Sequence, residues 1–155
     1  MRSSSPDAVM TVGRINCKPN AVNVIPDEVE FTIDLRAPDN ELLAEGHARI
    51  EEQVKSVATK RGLKHELVQT EDQQAVAMSA EILGELMRAA AKHLPQAAPV
   101  TVSGALHDSA ILAAHVPTAM VFVASKDGIS HNPAEFSRVE DIALAAEIVL
   151  DVVRM

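Results

Sequence analysis

A nine-residue stretch, EVEFTIDLR at Glu28–Arg36, constrains the fold most tightly, because its side chains alternate between apolar and polar. Alternation of this kind predicts a strand with one buried and one exposed face. A helix is predicted from Asn40 to Arg61, with a buried stripe of Leu42, Gly46, Ile50, Val54 and Val57. A mixed strand at Val9–Cys17 and a weaker one at Leu63–Gln69 complete the pattern. We therefore expect the first half of the chain to form antiparallel strands with a helix on one face.

The second half of the chain has a different pattern, and a polar connection at Glu71–Met78 predicts a domain boundary before it. Ser79 is expected to cap a helix, and a small helix is expected at Asp108–His115. The run TAMVFVA at Thr118–Ala124 is nearly all apolar, which predicts a strand buried on both faces.

The last helix is expected to begin at a capping box formed by Ser137 and Glu140. Its apolar residues recur at three- and four-residue steps, and this spacing predicts which side is buried. The residues on that side are Val139, Ile142, Ala143, Ala146, Val149, Leu150 and Val153. The whole chain is thus assigned to the α/β class, with an α+β layer in its first half.

An acidic composition that is poor in aromatic residues excludes several kinds of partner. The formal net charge of −8 opposes binding to phosphates, and an aromatic content of 2% leaves few rings for stacking on bases. The single cysteine, Cys17, has no intramolecular partner, which is typical of a reducing compartment. The N-terminus lacks the apolar run of a signal peptide, and no stretch reaches the roughly 18 apolar residues of a membrane span. We expect a cytoplasmic protein that binds neither nucleic acid nor membranes.

His131 is the first candidate for a functional residue, because it lies in a loop directly after the predicted buried strand. Ligands of open α/β sheets collect at the carboxyl ends of strands. Glu135 follows four residues later, and its carboxylate would orient the imidazole. The alternative is an ordinary histidine in a solvated loop.

The motif SGALHDS at Ser103–Ser109 is the second candidate. Its backbone N–H groups would hold a carboxylate or an oxyanion. Alternatively, Asp108 caps a short helix and Ser103 makes a turn with Gly104. A Ser–His–Asp triad is rejected, because neighbouring side chains point apart.

Arg36 and Asn23 form a third candidate group. Arg36 lies on the polar face of the predicted strand, and Asn23 lies in the turn before it. An arginine can bind a carboxylate with two parallel hydrogen bonds, beside an amide donor. The alternative is a surface arginine paired with Asp34 or Glu30, and an asparagine that stabilises a turn.

Three stretches, read together and in this order, carry a resemblance to a known family. They are TVGRINCKPNAVNVIPDEVEFTIDLR at Thr11–Arg36, SGALHDS at Ser103–Ser109 and VFVASKDGISHNPAEFS at Val121–Ser137. They closely resemble the hydantoinase/carbamoylase branch of the M20 metallo-amidohydrolases. That branch includes N-carbamoyl-L-amino acid hydrolases, allantoate amidohydrolases and β-ureidopropionase-like enzymes.

The resemblance implies a two-domain enzyme of which this chain is the C-terminal portion. Residues 1–74 would be the later part of a dimerisation or lid domain, and residues 75–155 the C-terminal part of the catalytic domain. The complete enzyme would be a homodimer that holds two divalent metal ions (Zn, Mn, Co or Ni) in each active site. It would hydrolyse linear C–N bonds in small carboxylate substrates such as N-carbamoyl amino acids or allantoate.

Individual roles follow from the same resemblance. His131 resembles the last metal ligand of the binuclear site. The residues that resemble substrate-binding positions are Asn23, Arg36, Ser103, Gly104 and His107. Leu106 departs from the family, which usually has glycine there, and a leucine would crowd the loop or oppose a positive φ angle.

The other ligands of that family have no counterpart in this sequence. An early H-x-D motif, a bridging Asp, a further His and a Glu–Glu pair that contains the general base are absent, since Glu51–Glu52 falls inside the predicted helix. A catalytic zinc site normally needs three protein ligands. We therefore assign no catalytic residue and expect the isolated chain to be inactive. The alternatives are a non-catalytic dimerisation or binding module and a truncated remnant.

Overall fold

The structure, a computed structural model, describes residues 8–154 and combines four helices with a two-stranded sheet in this part of the chain. The elements in chain order are β1 Val9–Lys18, β2 Glu28–Arg36, α1 Asn40–Arg61, α2 Ala80–His93, α3 Asp108–Leu112, a 3-10 turn at Lys126–Gly128 and α4 Val139–Val153. The mixed helix and strand content confirms the predicted α/β class.

The described chain divides into two compact units. The first unit contains the described residues up to Ala75 together with Val102–Ala105. The second unit contains Val76–Thr101 and the described residues from Leu106 onward. The return of 102–105 to the first unit is a feature that the linear sequence pattern does not predict.

In the first unit, β1 and β2 form an antiparallel hairpin against which α1 packs. The register runs from Val9 opposite Arg36 to Lys18 opposite Glu28. Helix α1 begins where the side chain of Asp39 accepts a 2.8 Å hydrogen bond from the N–H of Leu42. Cap and alternation are both local signals, and the predicted bounds of β2 and α1 are confirmed. The predicted buried face of β2 is wrong over half its length, because Val29 and Phe31 are 50% and 47% exposed.

The predicted strand at Leu63–Gln69 is wrong, because the segment contains no strand and all of its residues are exposed. A strand needs a neighbour that takes up its backbone hydrogen bonds. The hairpin is the one sheet in residues 8–154, and it is not extended by this segment. The predicted stripe on α1 is also only half-buried: Val57 is exposed, and Ala58 is the buried residue of the helix.

In the second unit, α2 and α4 pack together around a small core. The buried residues of this core are Ala89, Ala90 and Ile148. The partly buried residues packed against them are Leu86, Leu94, Ala98, Leu144 and Val152. The side chain of Ser79 accepts a hydrogen bond from the N–H of Ile82 at the start of α2, as predicted.

Two predictions about α4 are wrong. The helix is preceded by Arg138 and has no side-chain cap, so the capping box of Ser137 and Glu140 does not form. The guanidinium of Arg138 instead donates two hydrogen bonds, of 2.9 and 2.8 Å, to the carboxylate of Asp141. The side of the helix that was predicted to be buried is the exposed one, because the opposite side packs on α2.

The predicted strand at Thr118–Ala124 is wrong as well. The segment forms no strand in the described residues, and Val121 and Phe122 are 39% and 52% exposed. The small helix α3 is shorter than predicted and ends at Leu112. None of the helices in residues 8–154 combines the length and apolarity that crossing a bilayer requires.

Candidate functional site

Arg36, the last residue of β2, makes three side-chain hydrogen bonds within the first unit. Its Nε and Nη2 atoms donate to the two carboxylate oxygens of Asp34 at 2.9 and 3.0 Å. Its Nη1 atom donates to the backbone oxygen of Gly104 at 2.6 Å. The hydrogen bond from Arg36 lowers the pKa of Asp34, so this carboxylate stays ionised beside the guanidinium. The structure therefore brings together two of the predicted substrate-binding residues, which are far apart in sequence.

The pairing with Asp34 is also the one that the alternative interpretation of Arg36 predicted. The other acidic residue considered there, Glu30, pairs with Arg14 across the hairpin at 3.2 Å. A guanidinium carries five N–H donors, and Asp34 and Gly104 engage three of them. One N–H on each of Nη1 and Nη2 remains, and such a pair can bind a carboxylate.

Asn23 lies in the exposed turn at the other end of the hairpin from Arg36. The N–H of Val24 donates to the oxygen of Ala21 at 3.3 Å within this turn. Strand β2 lies between the turn and Arg36, and its nine residues span about 26 Å at roughly 3.3 Å per residue. The structure therefore does not bring Asn23 and Arg36 to one point.

The loop around Gly104 is organised by Ser103. The Ser103 hydroxyl accepts from the N–H of Ala105 at 3.2 Å and lies 3.3 Å from the oxygen of the same residue. Leu106 is exposed and is not among the residues with a left-handed backbone, so leucine causes no strain at this position. The departure from glycine at Leu106 is thus compatible with the loop.

His107 and Asp108 lie at the start of α3 in the second unit. His107 is the residue before the helix and makes no side-chain cap, whereas its ring packs edge-on against Phe122 with centroids 6.1 Å apart. Asp108 is the first helical residue, so the interpretation of Asp108 as the cap is wrong. The hydroxyl of Ser109 lies 2.8 Å from the sulfur of Met120.

His131 is exposed and has a left-handed backbone, with φ of 54°. This conformation is uncommon for a residue other than glycine and persists only where neighbouring contacts hold it. Here Glu135 accepts a 2.8 Å hydrogen bond from the backbone N–H of His131. The expectation that Glu135 orients the imidazole is therefore wrong, because its carboxylate holds the backbone instead.

The loop that presents His131 is closed by its own hydrogen bonds. The N–H of Lys126 donates to the oxygen of Phe136 at 2.8 Å, and the side chain of Asn132 accepts from the N–H of Ala134 at 2.9 Å. Sequence reasoning did not anticipate the left-handed residue, since glycine is the usual signal for one. The loop is pre-formed and leaves the imidazole free of contacts from Glu135.

No group of three or more His, Cys, Asp or Glu residues within residues 8–154 is placed to hold a metal ion. His131 would supply one ligand, and a catalytic zinc site needs about three. The residues present do not by themselves fit a divalent metal centre. A surface depression of the second unit, lined by residues 77–79 and 113–118, contains none of the candidate residues.

Comparison with known proteins gives consistent matches along nearly the whole chain. The model of peptidase family M20/M25/M40 matches residues 5–155. An N-carbamoyl-L-amino-acid amidohydrolase of Pseudomonas sp. (strain NS671) is 35% identical over 151 residues, which are 97% of this chain and 36% of that protein. An allantoate amidohydrolase of Escherichia coli (strain K12) is 34% identical over 135 residues, which are 87% of this chain and 33% of that protein.

The solved structures agree with these relatives. An amidase of the hydantoinase/carbamoylase family from Burkholderia multivorans matches with a TM-score of 0.86 and 38% identity, over 96% of this chain and 36% of that one. The chain thus spans about a third of the length of the proteins that it resembles.

Proposed function

The chain belongs to peptidase family M20/M25/M40, as its motifs predicted, and we propose that it is the part of a C–N hydrolase that supplies the last metal ligand and a carboxylate-binding arginine. The reaction would be the hydrolysis of linear amide or ureido bonds in N-carbamoyl amino acids or allantoate-like substrates. We assign residues 1–74 to the dimerisation or lid domain of such an enzyme and residues 75–155 to its catalytic domain.

The observation that carries this proposal is the conformation of His131. A histidine with a φ of 54° in a closed loop, with its imidazole exposed, is strained in the way that functional residues often are. Glu135 holds the backbone and thereby fixes the direction in which the side chain leaves the loop. A metal ligand requires such fixed placement, whereas an ordinary solvated loop histidine does not.

Arg36 supports the second half of the proposal. Asp34 fixes the plane of the guanidinium, and the oxygen of Gly104 fixes its position relative to the 102–105 segment. The two remaining N–H groups would donate to the carboxylate of an N-carbamoyl amino acid. Backbone groups of the Ser103–Gly104 loop lie next to this point, and we propose that they flank the same substrate.

Asn23 and His107 remain in the proposal with separate roles. Because the length of β2 separates Asn23 from Arg36, both can bind substrate only if they serve different active sites. The proposed homodimer would satisfy this condition, with the Asn23 turn of one copy facing the site of the other. His107, at the start of α3, is proposed to contact the leaving part of the substrate.

The metal ions belong to the complete enzyme and not to this chain alone. His131 is one donor, and a catalytic centre of this kind needs about three. The remaining ligands and the general base would lie in the portion of the relatives that the chain does not match. We therefore expect the isolated chain to leave N-carbamoyl amino acids unchanged when Mn²⁺ or Co²⁺ is added.

The direct test is a covalent chimera with a complete relative. The region of the Pseudomonas amidohydrolase that this chain matches would be replaced by the chain itself, and hydrolysis of N-carbamoyl-L-amino acids and allantoate would be measured with added Mn²⁺. We expect hydrolysis, a loss of bound metal and of turnover in His131→Ala, and a KM raised about tenfold in Arg36→Lys, which cannot bind a carboxylate through a planar fork.

Arg14→Lys is the matched control, because Arg14 lies on the same hairpin and pairs with an acidic residue but is not a candidate. Its KM should be unchanged. A folded, metal-loaded chimera without hydrolysis, or a His131→Ala variant with full metal content and turnover, would contradict the proposal.

A further inference from the structure

Helix α4 has two apolar sides, and one of them is occupied. Leu144, Ile148 and Val152 recur at four-residue steps and pack against Ala89 and Ala90 of α2. These contacts form the core of the second unit. An amphipathic helix at a protein surface needs only one such side.

The second side, which we call the outer face of α4, is uncharged and exposed along the whole helix. Its exposed members are Val139 (74%), Ile142 (50%), Val149 (42%), Leu150 (43%) and Val153 (77%), with Ala143 and Ala146 between them. Over 15 residues the face is about 22 Å long at roughly 1.5 Å per residue. A continuous stripe of this width and spacing is the pattern of a helix that packs on a core or a sheet.

The segment Thr118–Ala124 of the same unit is apolar and lies outside any sheet. Its residues join no strand of residues 8–154, although the oxygen of Thr118 accepts a 2.8 Å hydrogen bond from the N–H of Ser79, and Val121 and Phe122 are 39% and 52% exposed. An apolar segment outside a sheet can offer side chains and backbone N–H and C=O groups to another strand. The two features together fit a partner that brings a sheet.

The comparisons indicate what that partner is. The chain superimposes on the Burkholderia multivorans amidase with a TM-score of 0.86, although it covers only 36% of that protein. The chain therefore has the local fold of a region that, in relatives, belongs to a protein almost three times longer. A second copy of the chain would offer no sheet for α4 in its second unit, because the sheet of residues 8–154 lies in the first unit.

Resting on the proposed function, we propose that the outer face of α4 and the segment Thr118–Ala124 form a docking surface. The partner is the portion of an M20 hydrolase that these 155 residues do not match, and it binds even when it is supplied as a separate polypeptide. The segment Thr118–Ala124 joins the sheet of that polypeptide as a strand, and the outer face of α4 covers the sheet.

The test uses the chain together with the Pseudomonas amidohydrolase from which the matched region, 36% of its length, has been removed. The two polypeptides are co-expressed with a tag on this chain, and the complex is then purified and its dissociation constant measured. The double variant Ile142→Glu, Val149→Lys places one charge of each sign on the outer face and keeps the net charge at −8. We expect it to weaken binding about 100-fold or more, since two buried apolar side chains are lost.

The matched control is Leu63→Glu, Val68→Lys, which makes the same charge changes at residues of the first unit that are 60% and 66% exposed and belong to no candidate group. Its dissociation constant should stay within about threefold of that of the unchanged chain. Circular dichroism of each variant shows whether its helices are retained, and a double variant that binds normally while helical overturns the proposal. If the partner stays insoluble or separate during co-expression, the proposal is likewise overturned.

Two further outcomes identify which idea fails. A dimer of this chain alone that the double variant dissociates would mean that a second copy occupies the face, and the docking proposal would be wrong. A complex that forms but does not hydrolyse substrate, together with an inactive covalent chimera, would overturn the proposed function and leave the docking surface intact. If the covalent chimera hydrolyses substrate but the separate polypeptides do not associate, the docking proposal is overturned and the proposed function stands.

Discussion

Two glycines inside helices provide a sharp test of how α1 is fitted to the hairpin that carries Arg36. A β-carbon added at Gly46 of α1 would lie 2.8 Å from Cδ2 and 3.1 Å from Cδ1 of Leu35. A β-carbon added at Gly84 of α2 would meet no atom within 4 Å. Leu35 precedes Arg36 in β2, so the contact at Gly46 sets how closely the helix approaches the strand beside the candidate site.

Both substitutions to alanine gain helix propensity, but only the substitution at Gly46 adds a close contact, with Leu35. Replacing an interior helical glycine by alanine stabilises a helix by about 1 kcal/mol. Carbon atoms normally approach to about 3.5–4.0 Å, so the contact with Leu35 must be relieved by a shift, and overpacking of this kind costs about 1–3 kcal/mol. We expect Gly84→Ala to stabilise the second unit by about 1 kcal/mol, and Gly46→Ala to destabilise the first unit by about 0–2 kcal/mol.

Amide hydrogen exchange can measure both changes, because it reports the opening free energy of each helix separately. Protection should rise in α2 of Gly84→Ala and should not rise in α1 of Gly46→Ala. Thermal unfolding gives a second measure, with a shift of about 4–8 °C for each kcal/mol in a unit of this size. If Gly46→Ala raised protection as much as Gly84→Ala does, the Leu35 side chain would move aside at no cost, and its contact with Gly46 would not set the approach of α1 to β2.

Three other perturbations follow from the described contacts. The hydrogen bond from His93 lowers the pKa of Asp151, so the carboxylate stabilises the α2–α4 pair above its unfolded pKa near 4. This contribution is lost as the pH falls through the lower folded-state pKa, and Asp151→Asn should flatten the pH dependence of hydrogen exchange in α4 below about pH 4. The side chain of Asn40 accepts from the N–H of Ala75 at 2.7 Å, so Asn40→Ala should speed trypsin cleavage at Lys64, and equal cleavage rates would contradict this. The unchanged chain should bind a hydrophobic dye strongly, and the α4 double variant should bind less; equal fluorescence would mean that the outer face is not the dye site.

Local signals in the sequence are sufficient for most of the helices and for the hairpin. The alternation in Glu28–Arg36 and the Asp39 cap of α1 each depend on residues within one strand or one helical turn, and both elements are confirmed. The capping box of α4 failed although its signal is local too. Arg138 engages Asp141 through two hydrogen bonds there, so side-chain pairing defines the first turn instead of a cap.

The two wrongly predicted strands have a different explanation. The segments Leu63–Gln69 and Thr118–Ala124 have strand-like composition, but a strand forms only where another strand takes up its backbone hydrogen bonds. Composition does not specify where that neighbour comes from. The described residues offer neither segment such a neighbour, and the relatives are nearly three times longer than this chain.

The candidate site was predictable in its members but not in its geometry. The resemblance named both Arg36 and Gly104, yet the hydrogen bond between them joins residues 68 positions apart, and no spacing rule predicts it. The left-handed backbone of His131 was also not predictable, because no glycine marks the position and the hydrogen bond from its backbone N–H to Glu135 forms only in the folded loop. Asn23 and Arg36 were predicted as one group, but the nine residues of β2 lie between them, so they belong to two separate places.

The outer face of α4 shows how a correctly predicted apolar side can still be exposed, because nothing in the described residues covers it. Hydrophobic spacing predicts that a side will be buried, but it does not say by what, and a helix with two apolar sides satisfies only one of them in this chain. A wrong prediction of the helix itself would place charged residues on the exposed side. The outer face has none from Val139 to Val153, so its spacing matches burial although its surroundings do not. Full burial of a large apolar side chain contributes about 1.5–3 kcal/mol, and because the five residues of this face are 42–77% exposed, a sheet that covered them would recover a part of that amount for each.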